Sequence, residues 1–204
     1  MGFWPMRPGC DRAIQIRCWP PVNDAFRSEF TFRQALPADA LCIGVLGMQV
    51  FLDTYATEGI RPSLAREVLD GLLPEVIEEV IDVPGSRFIV AETKGHMVAF
   101  AQLGLQANHE LVPFSQAAEL QRLYVQEPFT GRGLGTTLLQ QAEASAASSG
   151  ATALWLTAWV GNERALAFYR RRGYEQAGTT QFVLQDEQYE NLLYVKALRA
   201  NPAT

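Results

Sequence analysis

The strongest constraint on this chain is a glycine loop, Thr130-Gly131-Arg132-Gly133-Leu134-Gly135, between a predicted strand and a predicted helix. Leu120–Gln126 alternates apolar and polar residues as a half-buried strand does, and Leu134–Ala147 has apolar residues three and four apart, as an amphipathic helix requires. Alternate glycines remove the Cβ atoms that obstruct a tight turn or a ligand. Since the first amides of a helix have no acceptor within it, this loop is suited to an anion such as a diphosphate.

Two phosphate-binding motifs can be tested on the spacing of this loop. A Walker loop requires Lys and then Ser or Thr after its second glycine, but Leu134 and Gly135 stand there. A dinucleotide-binding loop requires Gly-x-Gly-x-x-Gly, and here the last glycine comes one residue too early. Both motifs are excluded, and the loop by itself is equally compatible with a tight turn that binds nothing.

A second motif, Asn162-x-x-Ala165-x-x-Phe168-Tyr169, begins 27 residues after Gly135 and is followed by Gly173-Tyr174. Together the two motifs resemble the GNAT N-acetyltransferases, whose loop signature Arg/Gln-x-x-Gly-x-Gly/Ala binds the pyrophosphate of acetyl-CoA. The resemblance covers roughly residues 30 to 198. Thr130 stands where the family usually has Arg or Gln, so a phosphate contact is either lost or taken over by Arg132.

The chain reads as a mixed α/β (α+β) fold. Strands are predicted at Phe30–Ala35, Phe88–Glu92, Met97–Leu105, 119–126, Ala151–Val160, Thr180–Leu184 and Leu192–Ala197, with a polar loop at Gln185–Asn191. The helix at 135–149 makes the strands before and after it parallel, by a right-handed crossover. The resemblance implies the GNAT fold: a central mixed, mostly antiparallel sheet of about seven strands, with helices on both faces and one splayed parallel strand pair.

Three further helices are predicted, over Leu41–Tyr55, over Leu64–Ile81 with an interruption at Pro74, and over Asn162–Arg171. In the first of them a stripe of Leu41, Val45, Met48 and Leu52 has the spacing of a core face. The second carries six acidic residues, at positions 67, 70, 75, 78, 79 and 82. A solvated face and attraction of a polycation both explain them.

Length and composition indicate one domain, since 204 residues with 48% hydrophobic content suffice for one core. Residues 1–29 contain four prolines and no periodicity, so we expect an irregular N-terminal arm, followed by an acetyltransferase domain at 30–204. Trp4 and Trp19 in this arm could pack against the domain or against the second subunit of a homodimer.

The net charge of the chain limits the kinds of binding partner that we expect. A net charge of −5 argues against nucleic acid or an anionic membrane and favours a cationic substrate. No membrane span of ~20 apolar residues and no signal peptide is expected. Three cysteines without a Cys-x-x-Cys pair, and two histidines, provide little material for a metal site, so we expect no metal and a cytoplasmic location.

The resemblance also implies catalytic roles. Glu119 matches the position of a carboxylate base in several family members, and Tyr169 matches the general acid that protonates the departing CoA sulfur. A base is needed because an alkylamine with a pKa near 10.4 is neutral at pH 7 at a cost of about 4.6 kcal/mol. Glu119 could equally be a solvent-exposed strand end, and His109 is a further candidate base. A backbone N–H near Val125 would meet the oxyanion.

The remaining site residues fall into two groups. Candidate contacts to acetyl-CoA are Leu123, Tyr124, Val125, Thr130, Gly131, Arg132, Gly133, Leu134, Gly135, Thr136, Asn162 and Tyr169. Tyr55 and Trp159 are expected to border the acceptor.

The sequence thus predicts an acetyl-CoA-dependent N-acetyltransferase, in which a small primary amine attacks directly in a ternary complex. A polyamine is the first choice, because Leu154-Trp155-Leu156 with Trp159, and the tail through Asp186 and Glu187, resemble bacterial spermidine/spermine N-acetyltransferases. The alternatives are acetylation of a protein N-terminus or lysine, and a non-catalytic module that binds CoA.

Overall fold

The computed structural model describes residues 29–184 and 187–198. They form a seven-stranded sheet in the order β1-β2-β3-β4-β5-β7-β6. The strands are β1 Phe30–Gln34, β2 Ser86–Thr93, β3 His96–Gly104, β4 Ala117–Val125, β5 Ala153–Trp159, β6 Glu175–Leu184 and β7 Glu187–Ala197. The helices are α1 Ala40–Tyr55, α2 Pro62–Leu72, α3 Pro74–Ile81, α4 Leu134–Ser148 and α5 Glu163–Arg171. The predicted mixed α/β fold is confirmed.

One pair of neighbouring strands is parallel in this part of the chain, namely β4 and β5. Their ladder joins Ala117–Glu119 to Ala153–Trp155 and goes no further, although β4 continues to Val125 and β5 to Trp159. The other edge of β4 stays paired with β3 as far as Val125. The two parallel strands therefore separate beyond Glu119, and the opening between them leaves part of the backbone of β4 without a strand partner.

Helices cover both faces of the sheet. On one face α4 buries Leu138 and Leu139 in a cluster with Leu103 and Leu120 of the central strands. On the other face α1 and α3 bury residues against the side chains of β2 and β3, among them Ile43, Leu46, Ile77, Phe88 and Phe100. The crossover helix α4 thus begins at the opening between β4 and β5, and its N-terminus is fixed by the buried leucines behind it.

The predicted core stripe of α1 is wrong. Leu41 and Val45 are 61% and 57% exposed, and the buried face carries Ile43, Gly44 and Gly47 instead. A Cβ atom on Gly44 would lie 2.6 Å from the carbonyl oxygen of Leu72, so α2 approaches this face more closely than side chains would permit. Counting large apolar residues misplaced the core face because two glycines form part of it.

The interruption expected at Pro74 is confirmed, because α2 ends at Leu72, α3 begins at Pro74, and Leu73 between them is extended, with φ −58° and ψ 142°, as a residue before proline tends to be. One boundary differs from the prediction. The polar loop expected at Gln185–Asn191 is mostly strand, because β7 begins at Glu187 and pairs with β6 from there.

Several sequence-based expectations fall outside the described residues, namely those for Asp186 and for all of the predicted arm before Glu29.

In the described ranges one helical stretch, Pro37–Tyr55, has the length and composition of a membrane span, although the sequence analysis predicted no such segment. Apolar helices that pack in a protein core pass the same test, and α1 packs on α2, α3 and β3.

Candidate active site

The glycine loop makes the turn into α4 with two left-handed residues. Gly131 has φ 73° and Gly133, the N-cap of α4, has φ 87°. A Cβ atom added to either would meet nothing within 4 Å. The backbone conformation rather than crowding therefore requires glycine here, and the space beside the loop stays open.

A cavity of about 1310 Å³ lies on this open side. Its walls come from the separated ends of β4 and β5, the glycine loop, the first turn of α4, and α5, and the end of α1 borders it. The predicted site residues that line it are Leu123, Val125, Thr130, Gly131, Gly133, Leu134, Gly135, Thr136, Trp159, Asn162 and Tyr169. The two sequence motifs thus meet in one cavity, which has the first turn of α4 and the phenol of Tyr169 among its walls.

Four other predicted residues are not among those that line this cavity: Tyr55, Glu119, Tyr124 and Arg132. The ring of Tyr55 contacts that of Trp159, which lines the cavity, with 5.7 Å between the two centroids. Tyr124 packs edge-on against Phe100 at 5.4 Å. The guanidinium of Arg132 lies over the ring of Phe129, 5.3 Å from its centroid.

Asn162 has a visible structural role besides lining the cavity. Its side-chain oxygen accepts a hydrogen bond from the backbone N–H of Ala165 at 3.1 Å, which caps α5. The cap fixes the start of the helix that carries Phe168 and Tyr169, so this residue orients the phenol even without a ligand contact.

Sequence reasoning missed the arginines around the cavity. Three arginines line the cavity: Arg164 and Arg171 of α5, and Arg172, which directly follows this helix. Arg164 pairs with Glu127 at 3.0 Å, whereas Arg172 donates to the hydroxyl of Thr136 at 2.5 Å and lies over the ring of Phe168. The run Arg170–Arg172 was the available signal, because a helix that presents Phe168 and Tyr169 to a cavity brings neighbouring arginines to its rim.

Tyr169 is buried, with 8% of its surface exposed. Its ring lies edge-on to Phe168 at 5.2 Å and to Tyr174 at 5.8 Å. Burial, and to a lesser degree the nearby phenols of Tyr124 and Tyr55, raise its pKa well above the usual range. The hydroxyl is therefore protonated at neutral pH, as a proton donor must be.

Tyr174, which supports the Tyr169 ring, is itself held by a small polar cluster. Its hydroxyl donates to Glu143 at 3.1 Å, and Lys196 donates to both carboxylate oxygens of Glu143 at 2.8 and 2.9 Å. Burial and the Glu143 carboxylate raise the pKa of Tyr174. This cluster restricts the ring against which Tyr169 packs.

Three phenols are electrostatically linked near the end of α1. Burial raises the pKa of Tyr55 to about 12 and also raises that of Tyr124, and each of these rings disfavours ionisation of Tyr169. The three phenolic oxygens are consequently largely shielded from solvent. Hydrogen bonds and charges act more strongly in such surroundings than in bulk water.

Glu119 is partly buried at the point where β4 and β5 part. Burial raises the pKa of its carboxyl group, and a hydrogen bond from Gln121 and the charges of His109 and Arg122 act in the opposite direction with smaller effect. The carboxylate thus lies at the closed end of the opening, on the strand that also carries Leu123 and Val125 into the cavity.

His109 is poorly placed to act as a base. The backbone N–H of Leu111 donates to its Nδ1 atom at 3.1 Å, so that lone pair is already engaged. The imidazole ring lies against Trp155, with 5.1 Å between the centroids. Its position beside Trp155 is that of a packing residue.

In the described part of the chain no group of three or more His, Cys, Asp or Glu residues could hold a metal ion.

Comparison with known proteins identifies the family. The family model for the acetyltransferase (GNAT) family matches residues 54–174, which is more than half of the chain. The chain belongs to this family, and it is an acetyl-CoA-dependent N-acetyltransferase of the GNAT kind. The matched segment contains both the glycine loop and the Asn162–Tyr174 motif.

Individual relatives agree with the family. An uncharacterized N-acetyltransferase in the pepI 3′ region of Lactobacillus delbrueckii subsp. lactis is 28% identical over 155 residues, which cover 75% of this chain and 88% of the relative. The aminoglycoside N(6′)-acetyltransferase type 1 of Stenotrophomonas maltophilia is 28% identical, with 72% and 86% covered. The PaiA N-acetyltransferase of Thermoplasma acidophilum, solved in complex with coenzyme A, has a TM-score of 0.64 at 19% identity, with 82% and 98% covered.

Proposed function

We propose that this enzyme acetylates the primary amine of a small cationic acceptor, with a polyamine as the first candidate, by direct attack in a ternary complex. The observation that carries the proposal is the opening between β4 and β5. A carboxylate, Glu119, lies at its closed end, and a phenol, Tyr169, lies in the cavity that fills it.

The glycine loop and the first turn of α4 would hold the pyrophosphate of acetyl-CoA. The space beside Gly131 and Gly133 is open, and the N-terminal amides and dipole of α4 favour an anion there. Leu123 and Val125 border the same cavity on the opened side of β4, where backbone groups have no β5 partner. Those groups are suited to bind the pantetheine arm and to stabilise an oxyanion near Val125.

Glu119 would take the proton of the acceptor amine, directly or through one water molecule. Its raised pKa makes it a stronger base than an ordinary carboxylate, which reduces the deficit against an amine with a pKa near 10.4. Positioned proton transfer of this kind is typically worth about 10²–10⁴ in rate. Tyr169, which is protonated at neutral pH, would give its proton to the departing sulfur.

Three observations support a cationic acceptor. The chain has a net charge of −5. Asp53 lines the cavity at the end of α1, and Glu119 lies at the base of the opening. The relative from Stenotrophomonas maltophilia is named for aminoglycosides, which carry several amines.

A thiol-release assay with acetyl-CoA tests the proposal. Spermidine, free amino acids and a lysine-containing peptide are compared at equal concentration. Faster CoA release with spermidine is the expected result. Release with the peptide alone would favour a protein acetyltransferase, and binding of CoA without release for any amine would favour a non-catalytic module.

A further inference from the structure

A cluster of polar and aromatic residues connects the start of α2 to the hairpin of β6 and β7. Arg61, the N-cap of α2, donates to the hydroxyl of Tyr189 and forms an ion pair with Glu187, both at the start of β7. The Tyr189 hydroxyl also donates to Glu187. The guanidinium lies over the Tyr189 ring, 5.8 Å from its centroid. A cation is thus held by a carboxylate, a hydroxyl and an aromatic face.

This cluster continues directly from the cavity. The ring of Tyr189 lies edge-on to Trp159, with centroids 6.3 Å apart, and Trp159 lines the cavity and contacts Tyr55 at 5.7 Å. The aromatic faces therefore form a path from the end of β5 to Arg61. Aromatic faces attract cations and tolerate methylene groups, so an alkyl chain with ammonium groups suits this path.

We propose that Glu187, Tyr189 and Trp159 form a binding site for the second ammonium group of a diamine or polyamine, and that Arg61 occupies this site when no acceptor is bound. The inference rests on the proposed function and makes it more specific, because it explains how an acceptor with two cationic groups is distinguished from one with a single amine.

Displacement of Arg61 is physically reasonable because its ion pair is solvent-accessible. The side chains of Arg61 and Glu187 are 43% and 47% exposed, and exposed pairs contribute little net stability. An incoming ammonium group exchanges one cation for another at the same carboxylate. The released guanidinium returns to water, where its charge is well solvated.

The alternative is that Arg61 only connects α2 to the hairpin and has no part in recognition. The two roles predict opposite effects when the guanidinium is removed. An internal competitor that is removed improves the use of a diamine, whereas a lost structural connection lowers activity towards every acceptor alike.

The test compares putrescine with butylamine, which share a carbon chain and differ in the second amine. The ratio of kcat/KM for putrescine to that for butylamine is measured in the parent and in Glu187→Gln, Arg61→Gln and Glu29→Gln. We expect the ratio to fall about three- to tenfold in Glu187→Gln and to rise about threefold in Arg61→Gln. Glu29, which forms an exposed pair with Lys94 at the far end of β2, is the matched control and should leave the ratio unchanged.

A ratio that stays constant in both Glu187→Gln and Arg61→Gln would overturn the second-ammonium site. Equal losses on both amines in Arg61→Gln would show a structural connection instead of a competitor. Because the ratio is internal to each preparation, a partly misfolded variant does not mimic either result. Failure of the parent to acetylate putrescine or butylamine, when it does acetylate spermidine in the thiol-release assay, would overturn this site alone, whereas failure with spermidine as well would overturn the proposed function.

Discussion

Glu119 and Trp155 face each other across the last rung of the ladder between β4 and β5. Trp155 is fixed there by a hydrogen bond from its indole nitrogen to the carbonyl oxygen of Ala107 at 2.6 Å, and its ring is 6% exposed. Glu119 is therefore paired with a rigid aromatic residue at the point where the two strands begin to separate. This arrangement accounts for its raised pKa and for its proposed role as the base.

The first prediction concerns the pH dependence of Glu119→Gln. In the parent, kcat/KM should rise with pH until Glu119 is deprotonated, at a pH above the usual carboxyl range because its pKa is raised, and then level off. Activity is thus lost as the pH falls through this raised pKa. In Glu119→Gln, kcat/KM should be about 10²-fold lower near neutral pH and should keep rising until the amine itself deprotonates.

Steady-state rates from acidic to alkaline pH, with one acceptor, distinguish these curves. Two profiles of the same shape, differing only in height, would show that Glu119 is not the base. Gln keeps the size of the side chain and one acceptor oxygen but cannot take up a proton near neutral pH, so a change in the shape of the profile reports on proton transfer.

The second prediction concerns Tyr169→Phe. The ring contacts with Phe168 and Tyr174 remain, while the hydroxyl is lost. We expect kcat to fall about 10²-fold and the Kd for CoA to change less than twofold, because a proton donor acts on the departing thiolate and not on the bound cofactor. Thiol release and calorimetric titration with CoA measure the two quantities. Equal kcat values for variant and parent would remove Tyr169 from the acid role.

The third prediction concerns the arginines at the cavity rim. Arg172 lines the cavity, donates to Thr136 and forms no ion pair in the described part of the chain, and we predict that it binds the phosphate on the ribose of CoA. Arg172→Gln should weaken CoA binding about tenfold, and it should have little effect on dephospho-CoA, which lacks that phosphate. Arg170→Gln, in the same run but outside the cavity lining, is the control. Equal losses for the two ligands would place Arg172 elsewhere along the cofactor.

The fourth prediction concerns the glycine face of α1. In Gly44→Ala the new Cβ atom would lie 2.6 Å from a backbone oxygen of Leu72, so α2 must shift, at a cost of about 1–3 kcal/mol in the free energy of unfolding. Gly71→Ala, within α2, meets only the side-chain end of Arg122 at 3.4 Å, which needs to shift far less than a backbone oxygen at 2.6 Å, and should be nearly neutral. Urea unfolding compares the variants. Equal stability of Gly44→Ala and the parent would contradict the close helix packing.

Local sequence was sufficient to predict the glycine loop, the Asn162–Tyr169 helix and the parallel crossover between them. Those features depend on residues close together in the chain, where a missing Cβ atom or a helix cap acts on its immediate neighbours. The face of α1 was not predictable in this way, because the presence of Leu72 opposite Gly44 decides which side is buried. The start of β7 at Glu187 likewise depends on pairing with β6.

The acceptor side was the least predictable part. Arg61 and Tyr189 are 128 residues apart in the chain, and no periodicity or motif connects them. The family resemblance indicated Glu119 as a candidate base. That this residue lies outside the cavity lining depends on where the ladder between β4 and β5 ends, which the sequence does not show. Such relationships follow from the register of distant strands and from loop paths, which single-residue patterns do not encode.

We propose that the N-terminus of α4, in the opening between β4 and β5, binds the pyrophosphate of acetyl-CoA, and the other assignments depend on this site. The most direct test is the Kd of CoA, measured by calorimetry, for Gly133→Glu and for Gly150→Glu. Both glycines have similar left-handed φ values, 87° and 91°, and open space around the Cβ position, but Gly150 follows the opposite end of α4. We predict a loss of affinity of about 10²-fold or more for Gly133→Glu, from repulsion between the new carboxylate and the phosphates, and an unchanged Kd for Gly150→Glu. Equal affinities for the two variants would contradict the assignment of the cofactor site.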